Sequence, residues 1–311
     1  MPSDIYVQPE APDPVLSETV VLALVRAHVP AAHAVTGVDE SGGEARTYAV
    51  DEAVILKVQR PPQLRPRTSL AKEAWFLRRL AEEPGIAVPR VLGYGRQGSG
   101  PTAIEYTVLT RMPGIALRHA PLDAPARPAA LRALGQTLRR IHGLPQAPFQ
   151  QSGLIPGDGD WAAVQARLEE LRQLALEPIA PDAPIPGTAT TVEALGRRAL
   201  AALPARGARV ALHSNPGPEH TFVDPATGAY QGLIDFGDAY ISHPAFDLRR
   251  WRAPADRAAL FAGYTAAAPV DDDFLATWRV VQVLTDLVVL AHYPDRAAEA
   301  VAEIQHLLPD L

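Results

Sequence analysis

The sequence predicts an α+β fold of two lobes: a small N-terminal lobe of antiparallel strands with a helix (residues 1–112) and a larger, mainly helical C-terminal lobe (113–311). Three observations predict it. The chain has 311 residues, about twice a typical single domain. Between Val35 and Thr110 short β-rich stretches alternate around glycine-containing turns, and beyond Met112-Pro113-Gly114 leucines recur at helical spacing, interrupted by one β-like island.

Taken in order, residues 15–29 carry an apolar helical face, with Ser17 as N-cap. Val35 to Val58 reads as strands joined by hairpins, with a polar turn from Asp39 to Arg46 containing Gly42 and Gly43. A connector rich in proline and arginine, Arg60 to Arg67, leads to a helix over Thr68 to Leu80. Strands follow at Arg90 to Tyr94 and Thr102 to Thr110. The second lobe predicts helices around 131–142, 160–176, 190–203, 255–266, 272–292 and 295–308, with Asp271 to Asp273 marking a helix start and Pro178 to Pro186 a loop. The island Thr221 to Asp235 is a hairpin that turns at Pro225 to Gly228.

Composition narrows the chemistry. Cysteine is absent, which removes disulfides, thiolate metal sites and cysteine nucleophiles. The net charge of −6 argues against a nucleic-acid partner, since phosphate neutralisation needs a cationic field. The acidic surplus sits beyond Pro113, which suits a cationic ligand, although solubility charge is the plainer reading. The most apolar runs, Val20 to Val25 and Leu287 to Ala291, fall short of a membrane span, and the start at Met1-Pro2-Ser3-Asp4 does not read as a secretory leader. The expectation is a cytoplasmic protein without a membrane partner, monomeric or homodimeric. Only two of the 29 basic residues are lysines, Lys57 and Lys72, so the setting of each deserves reading.

A strand ending in Lys57, a helix carrying Glu73 and a hairpin ending in Asp235-Phe236-Gly237-Asp238 follow one another in that order. Singly, each has a plain structural explanation: a strand lysine, a surface helix acid, a turn cap. Together with Leu212-His213-Ser214-Asn215, Gly232-Leu233-Ile234-Asp235 and His243-Pro244-Ala245-Phe246-Asp247, they resemble the aminoglycoside phosphotransferase and choline kinase family, which has a protein-kinase-like fold. The resemblance covers most of the chain. It implies that Lys57 holds ATP phosphates and that Glu73 orients Lys57. It implies that Asp235 binds Mg, that the Gly42-Gly43 turn covers the nucleotide, and that Thr110 and Met112 border the adenine. ATP and Mg are therefore the implied cofactors, and a small hydroxylated molecule the implied substrate.

The family's catalytic loop reads His-Gly-Asp, four residues, then Asn. Here His213 matches, Ser214 replaces glycine, Asn215 stands at the catalytic aspartate and His220 at the metal-binding asparagine. An amide has no useful proton affinity, so Asn215 can hydrogen-bond a hydroxyl but cannot serve as its base. Imidazole is a poorer partner than oxygen for magnesium. Glu219 is an alternative base or ligand, weighed against a solvated loop acid. Asp247 is structural. The expectation is a slow small-molecule kinase, with a non-catalytic nucleotide- or metabolite-binding pseudokinase, acting as sensor or interaction module, as the alternative.

Overall fold

In the computed structural model, which describes residues 6–99, 103–122, 125–180, 182–188, 190–251 and 253–311, twenty helices and strands are defined among the described residues. The first stretch runs α1 (Glu18–Arg26), β1 (Val35–Asp39), β2 (Ala45–Val50), β3 (Val54–Gln59), α2 (Leu70–Ala81), β4 (Val91–Gln97), β5 (Ile104–Thr110) and β6 (Ile115–Ala116). Next come α3 (Ala126–His142), α4 (Ala147–Gln151), α5 (Trp161–Leu176), α6 (Val192–Ala201), β7 (Val210–Leu212), β8 (Thr221–Val223) and β9 (Tyr230–Leu233). The last are β10 (Tyr240–Ser242), α7 (Ala245–Leu248), α8 (Pro254–Thr265), α9 (Asp272–His292) and α10 (Ala297–Leu307). The chain forms two compact units. The first comprises 1–122, 152–156 and 213–240, the second 123–151, 157–212 and 241–311.

The first unit is built on an antiparallel five-stranded sheet in the order β1-β2-β3-β5-β4. Strand parity sorts its residues. Val54, Leu56 and Val58 of β3 join Tyr48, Val50, Tyr106 and Val108 in a core closed by Val21, Leu24 and Val25 of α1. Ile55, Lys57 and Gln59, one residue out of phase, line a cavity on the other face. Each buried valine or leucine is worth roughly 1.5–3 kcal/mol, so the α1 core pins the register, and the register pins Lys57. Lys57 pairs across the sheet with Thr47 and Thr107. Ser17 and Ser69 cap α1 and α2 by accepting from the amides of Val20 and Lys72. The island is the expected hairpin, β8 with β9, to which β6 adds a third antiparallel strand.

The second unit is helical around α9, which packs against α5, α6 and α10. Asp271 caps α9 by accepting from the Phe274 amide at 2.8 Å. The expectation that no segment reaches membrane-spanning composition is corrected here: α9 is a 21-residue helix whose best window has a mean hydropathy of 1.6, long and apolar enough to cross a bilayer. Short-run reading missed it because Thr277, Gln282 and Asp286 interrupt the apolar residues. Of that window 61% is buried inside the protein, as in a core helix. Asp247 is fully buried, where its Oδ2 accepts from His142 Nε2 at 3.0 Å. Thr102, expected as the start of β5, lies outside the described residues, as do Met1 to Asp4.

Candidate active site

All the sequence-predicted site residues fall in the first unit. Lys57 Nζ donates to Glu73 Oε1 and Oε2 at 2.9 and 2.8 Å and to Asp235 Oδ1 at 2.7 Å. The lysine side chain is 13% exposed and Glu73 1%, whereas Asp235 is 41% exposed. Burial pulls the Lys57 ammonium down, but Asp235 and Glu73 together more than offset it, leaving its pKa above the usual lysine range. The opposite balance holds at Asp235, where burial pushes upward and the positive charge of Lys57 pulls the carboxyl well below its usual range. At Glu73 burial wins, and its carboxyl stays raised despite Lys57.

The Asp-Phe-Gly turn is locked from behind. Phe236 is fully buried, its ring 5.1 Å from that of Phe76 on α2 and 4.4 Å from that of His213. Asp235 itself has φ of 69°, in the left-handed region. On its far side Asp238 accepts from Thr68 Oγ1 at 2.6 Å and from Arg65 at 2.9 Å. Sequence reasoning missed Arg65, Thr68 and Lys72 here. Lys72 is 1% exposed and its Nζ donates to the carbonyls of Ala239, at 2.7 Å, and Arg67. Burial lowers its pKa to about 8. Its rarity was the available signal: both lysines of the chain serve the same turn.

The loop after β7 is wound around backbone hydrogen bonds. His213 Nδ1 accepts from the Asn215 amide at 3.1 Å, which leaves Nε2–H to donate to the Ile234 carbonyl at 2.8 Å. Both its nitrogens are thus committed to main chain. Ser214 has φ of 80°, the conformation that favours the glycine of the resembled motif. The Asn215 carbonyl accepts from the Gly217 amide at 2.8 Å and from His220 Nδ1 at 2.8 Å. His220 Nε2 then lies 3.3 Å from Asp235 Oδ2.

These groups border a cavity of about 590 Å³, within the usual range for small-ligand sites. Its lining includes Gly42, Lys57, Glu73, Thr110, Met112, His220 and Asp235, so seven of the ten expected site residues converge on it. Gly43, His213 and Asn215 stand outside the lining. Glu219 also reaches the cavity, where it is half-exposed and 3.4 Å from Arg118. Among the described residues no group of three or more His, Asp or Glu converges as a metal cage. Asp235 Oδ2 and His220 Nε2, 3.3 Å apart on the cavity wall, form a mixed pair that suits a divalent cation completed by ligand oxygens and water.

The description of the phosphotransferase enzyme family matches residues 36–284, which span the sheet, the Lys57 cluster and the loop. The chain belongs to this family. Among solved structures it is similar to the GDP and kanamycin complex of APH(2'')-IIIa, with a TM-score of 0.61 at 15% identity over 94% of this chain and 99% of that one. It is equally similar to macrolide 2'-phosphotransferase MphH from Brachybacterium faecium, with a TM-score of 0.60 at 21% identity over 94% and 97%. A streptomycin–ATP complex of APH(2'')-IIa matches with a TM-score of 0.51 at 12% identity over 94% and 97%. At these identities the likeness shows the kinase-like α+β fold. No curated protein matches the sequence.

Proposed function

We propose that this phosphotransferase uses ATP to phosphorylate a hydroxyl of a small molecule, and does so slowly. The observation that carries the proposal is Lys57, held between a fully buried Glu73 and a partly exposed Asp235 on the wall of a nucleotide-sized cavity. In the reaction the substrate oxygen forms a new bond to the γ-phosphorus, the bridging bond to the β-phosphate breaks, and ADP leaves with the electron pair. The hydroxyl proton must go to a base or to solvent.

The chain's own residues divide the work. Glu73 fixes the ammonium of Lys57, which exchanges its contact with Asp235 for phosphate oxygens when nucleotide enters. Asp235 and His220 are the groups that would hold a divalent cation, which when bound neutralises phosphate charge. Thr110 and Met112 border the base and Gly42 the phosphates. His213 positions the loop rather than moving a proton, because both ring nitrogens serve backbone partners. Asn215 can orient a hydroxyl but not deprotonate it. That loss sets the rate, since positioning and charge neutralisation persist without a base. Kanamycin and streptomycin, bound by two of the similar proteins, are consistent with a polyhydroxylated, cationic substrate. Asn215 equally favours a second reading, a relative that binds nucleotide without turnover.

Thermal-shift titration with ATP, with and without a divalent cation, tests the site. The cation-dependent shift should be present in the natural chain and absent in Lys57→Ala. An undiminished shift in the variant would place nucleotide elsewhere.

A further inference from the structure

His220 does something that the Lys57 and Asp235 pair does not require. Its Nδ1 is 2.8 Å from the Asn215 carbonyl, and a carbonyl can only accept, so the ring hydrogen sits on Nδ1. The lone pair of the neutral ring is therefore on Nε2, which lies 3.3 Å from Asp235 Oδ2. With the ring neutral, two acceptors face each other across a gap that closes favourably around a positive centre, a metal cation or a proton. The other oxygen of the same carboxylate is already engaged by Lys57 at 2.7 Å. The ring cannot easily turn away: the Gly217 amide shares the Asn215 carbonyl at 2.8 Å, the His220 amide donates back to Gly217 at 3.1 Å, and Pro216 and Pro218 stiffen the same turn. A backbone carbonyl on one imidazole nitrogen with the other left bare is the arrangement that orients metal-ligating histidines.

The separation fits one cation. Two ligands each about 2.1 Å from a metal and at a right angle stand about 3 Å apart, close to the observed 3.3 Å. The donor type then selects the metal. Magnesium prefers oxygen and gains little from imidazole, whereas first-row transition cations gain from a nitrogen among oxygens. Both groups line the cavity together with Lys57, so phosphate oxygens can complete the shell.

We infer that His220 makes this site selective for a first-row transition cation, with manganese as the probe, over magnesium as the partner of the bound nucleotide. The inference rests on the nucleotide reading above.

The test uses the full chain with ADP and either Mn²⁺ or Mg²⁺. Pulsed electron paramagnetic resonance of the Mn²⁺–ADP complex should show nitrogen coupling that changes on ¹⁵N-histidine labelling and disappears in His220→Asn. In parallel, the ratio of nucleotide affinities with Mn²⁺ and with Mg²⁺ should fall about tenfold or more from the natural chain to His220→Asn. The spectrum of the natural chain alone suffices should the variant fold poorly. Absence of histidine nitrogen coupling, or an unchanged affinity ratio, would overturn the inference while leaving nucleotide binding intact. It would mean that Nε2 meets Asp235 through a proton. No ADP binding with either cation or in EDTA would overturn the nucleotide reading, and this inference with it.

Discussion

Replacing Lys57 by methionine keeps the length of the stem and removes the charge, so it isolates what the ammonium does. The loss falls on Glu73, which is 1% exposed, and much less on Asp235, which is 41% exposed and can be rehydrated. Leaving one partner of a buried pair uncompensated costs about 3–5 kcal/mol, whereas a screened partner adds at most about 1 kcal/mol. Lys57→Met should therefore lower the unfolding free energy by about 3–5 kcal/mol at pH 8 in urea titrations, a large share of a typical total. The additional change Glu73→Gln removes the stranded charge and should recover about half of that loss. The sign with pH follows from Glu73. Its carboxyl is already raised by burial, and without Lys57 it rises further. An acid raised on folding weakens the fold fully above its folded pKa, and the penalty fades as pH falls from there to the ordinary carboxyl value. The deficit of Lys57→Met should thus be largest at pH 8 and shrink towards pH 5. A single variant as stable as the natural chain, or a double variant no better than the single, would refute the idea that Glu73 depends on Lys57.

Three further outcomes are expected. Ser214→Gly relieves a side chain at φ of 80° and should raise stability by about 0.5–1 kcal/mol after the entropy of glycine in the unfolded chain is subtracted; a fall in thermal midpoint would contradict strain at that residue. Phe236→Ala removes a fully buried ring packed on Phe76 and His213 and should cost about 3–5 kcal/mol in chemical denaturation, together with the cation-dependent ATP shift. Lys72 has a folded pKa of about 8, below its usual value. Between pH 8 and 10.5 the unfolded chain binds the extra proton, so the natural chain should gain roughly 2–3 kcal/mol relative to Lys72→Met, and parallel stability curves for the two would count against that burial.

The long elements were legible because periodicity over many residues specifies them. Ser17 and Asp271 marked their helix starts correctly, whereas Ser69, expected inside its helix, turns out to cap it. The short elements β6, β7, β10, α4 and α7 were not, since so few residues carry no period and tertiary hydrogen bonds decide them, whereas the equally short β8 and β9 were betrayed by the turn between them. The site followed the same division. Lys57, Glu73 and Asp235 could be ordered from the chain, but that Asp235 touches Lys57 while His213 spends both nitrogens on backbone depends on contacts between residues far apart in sequence. Lys72 is the instructive omission: a lysine at 1% exposure contradicts its usual preference, and only its two carbonyl partners explain it.

The central claim is that the cavity around Lys57 and Asp235 transfers a phosphoryl group without a catalytic base. The direct measurement is single-turnover loss of the γ-phosphate from bound ATP, in Mn²⁺ and in Mg²⁺, with a panel of hydroxylated amines as acceptors. A missing base costs about 10²–10⁴-fold, so the natural chain should turn over that far below the roughly 1–100 per second of ordinary kinases. Asn215→Asp should raise the rate and Asp235→Asn abolish it. A natural chain that already runs at ordinary kinase rates, or one whose rate is indifferent to Asp235→Asn, would contradict the account.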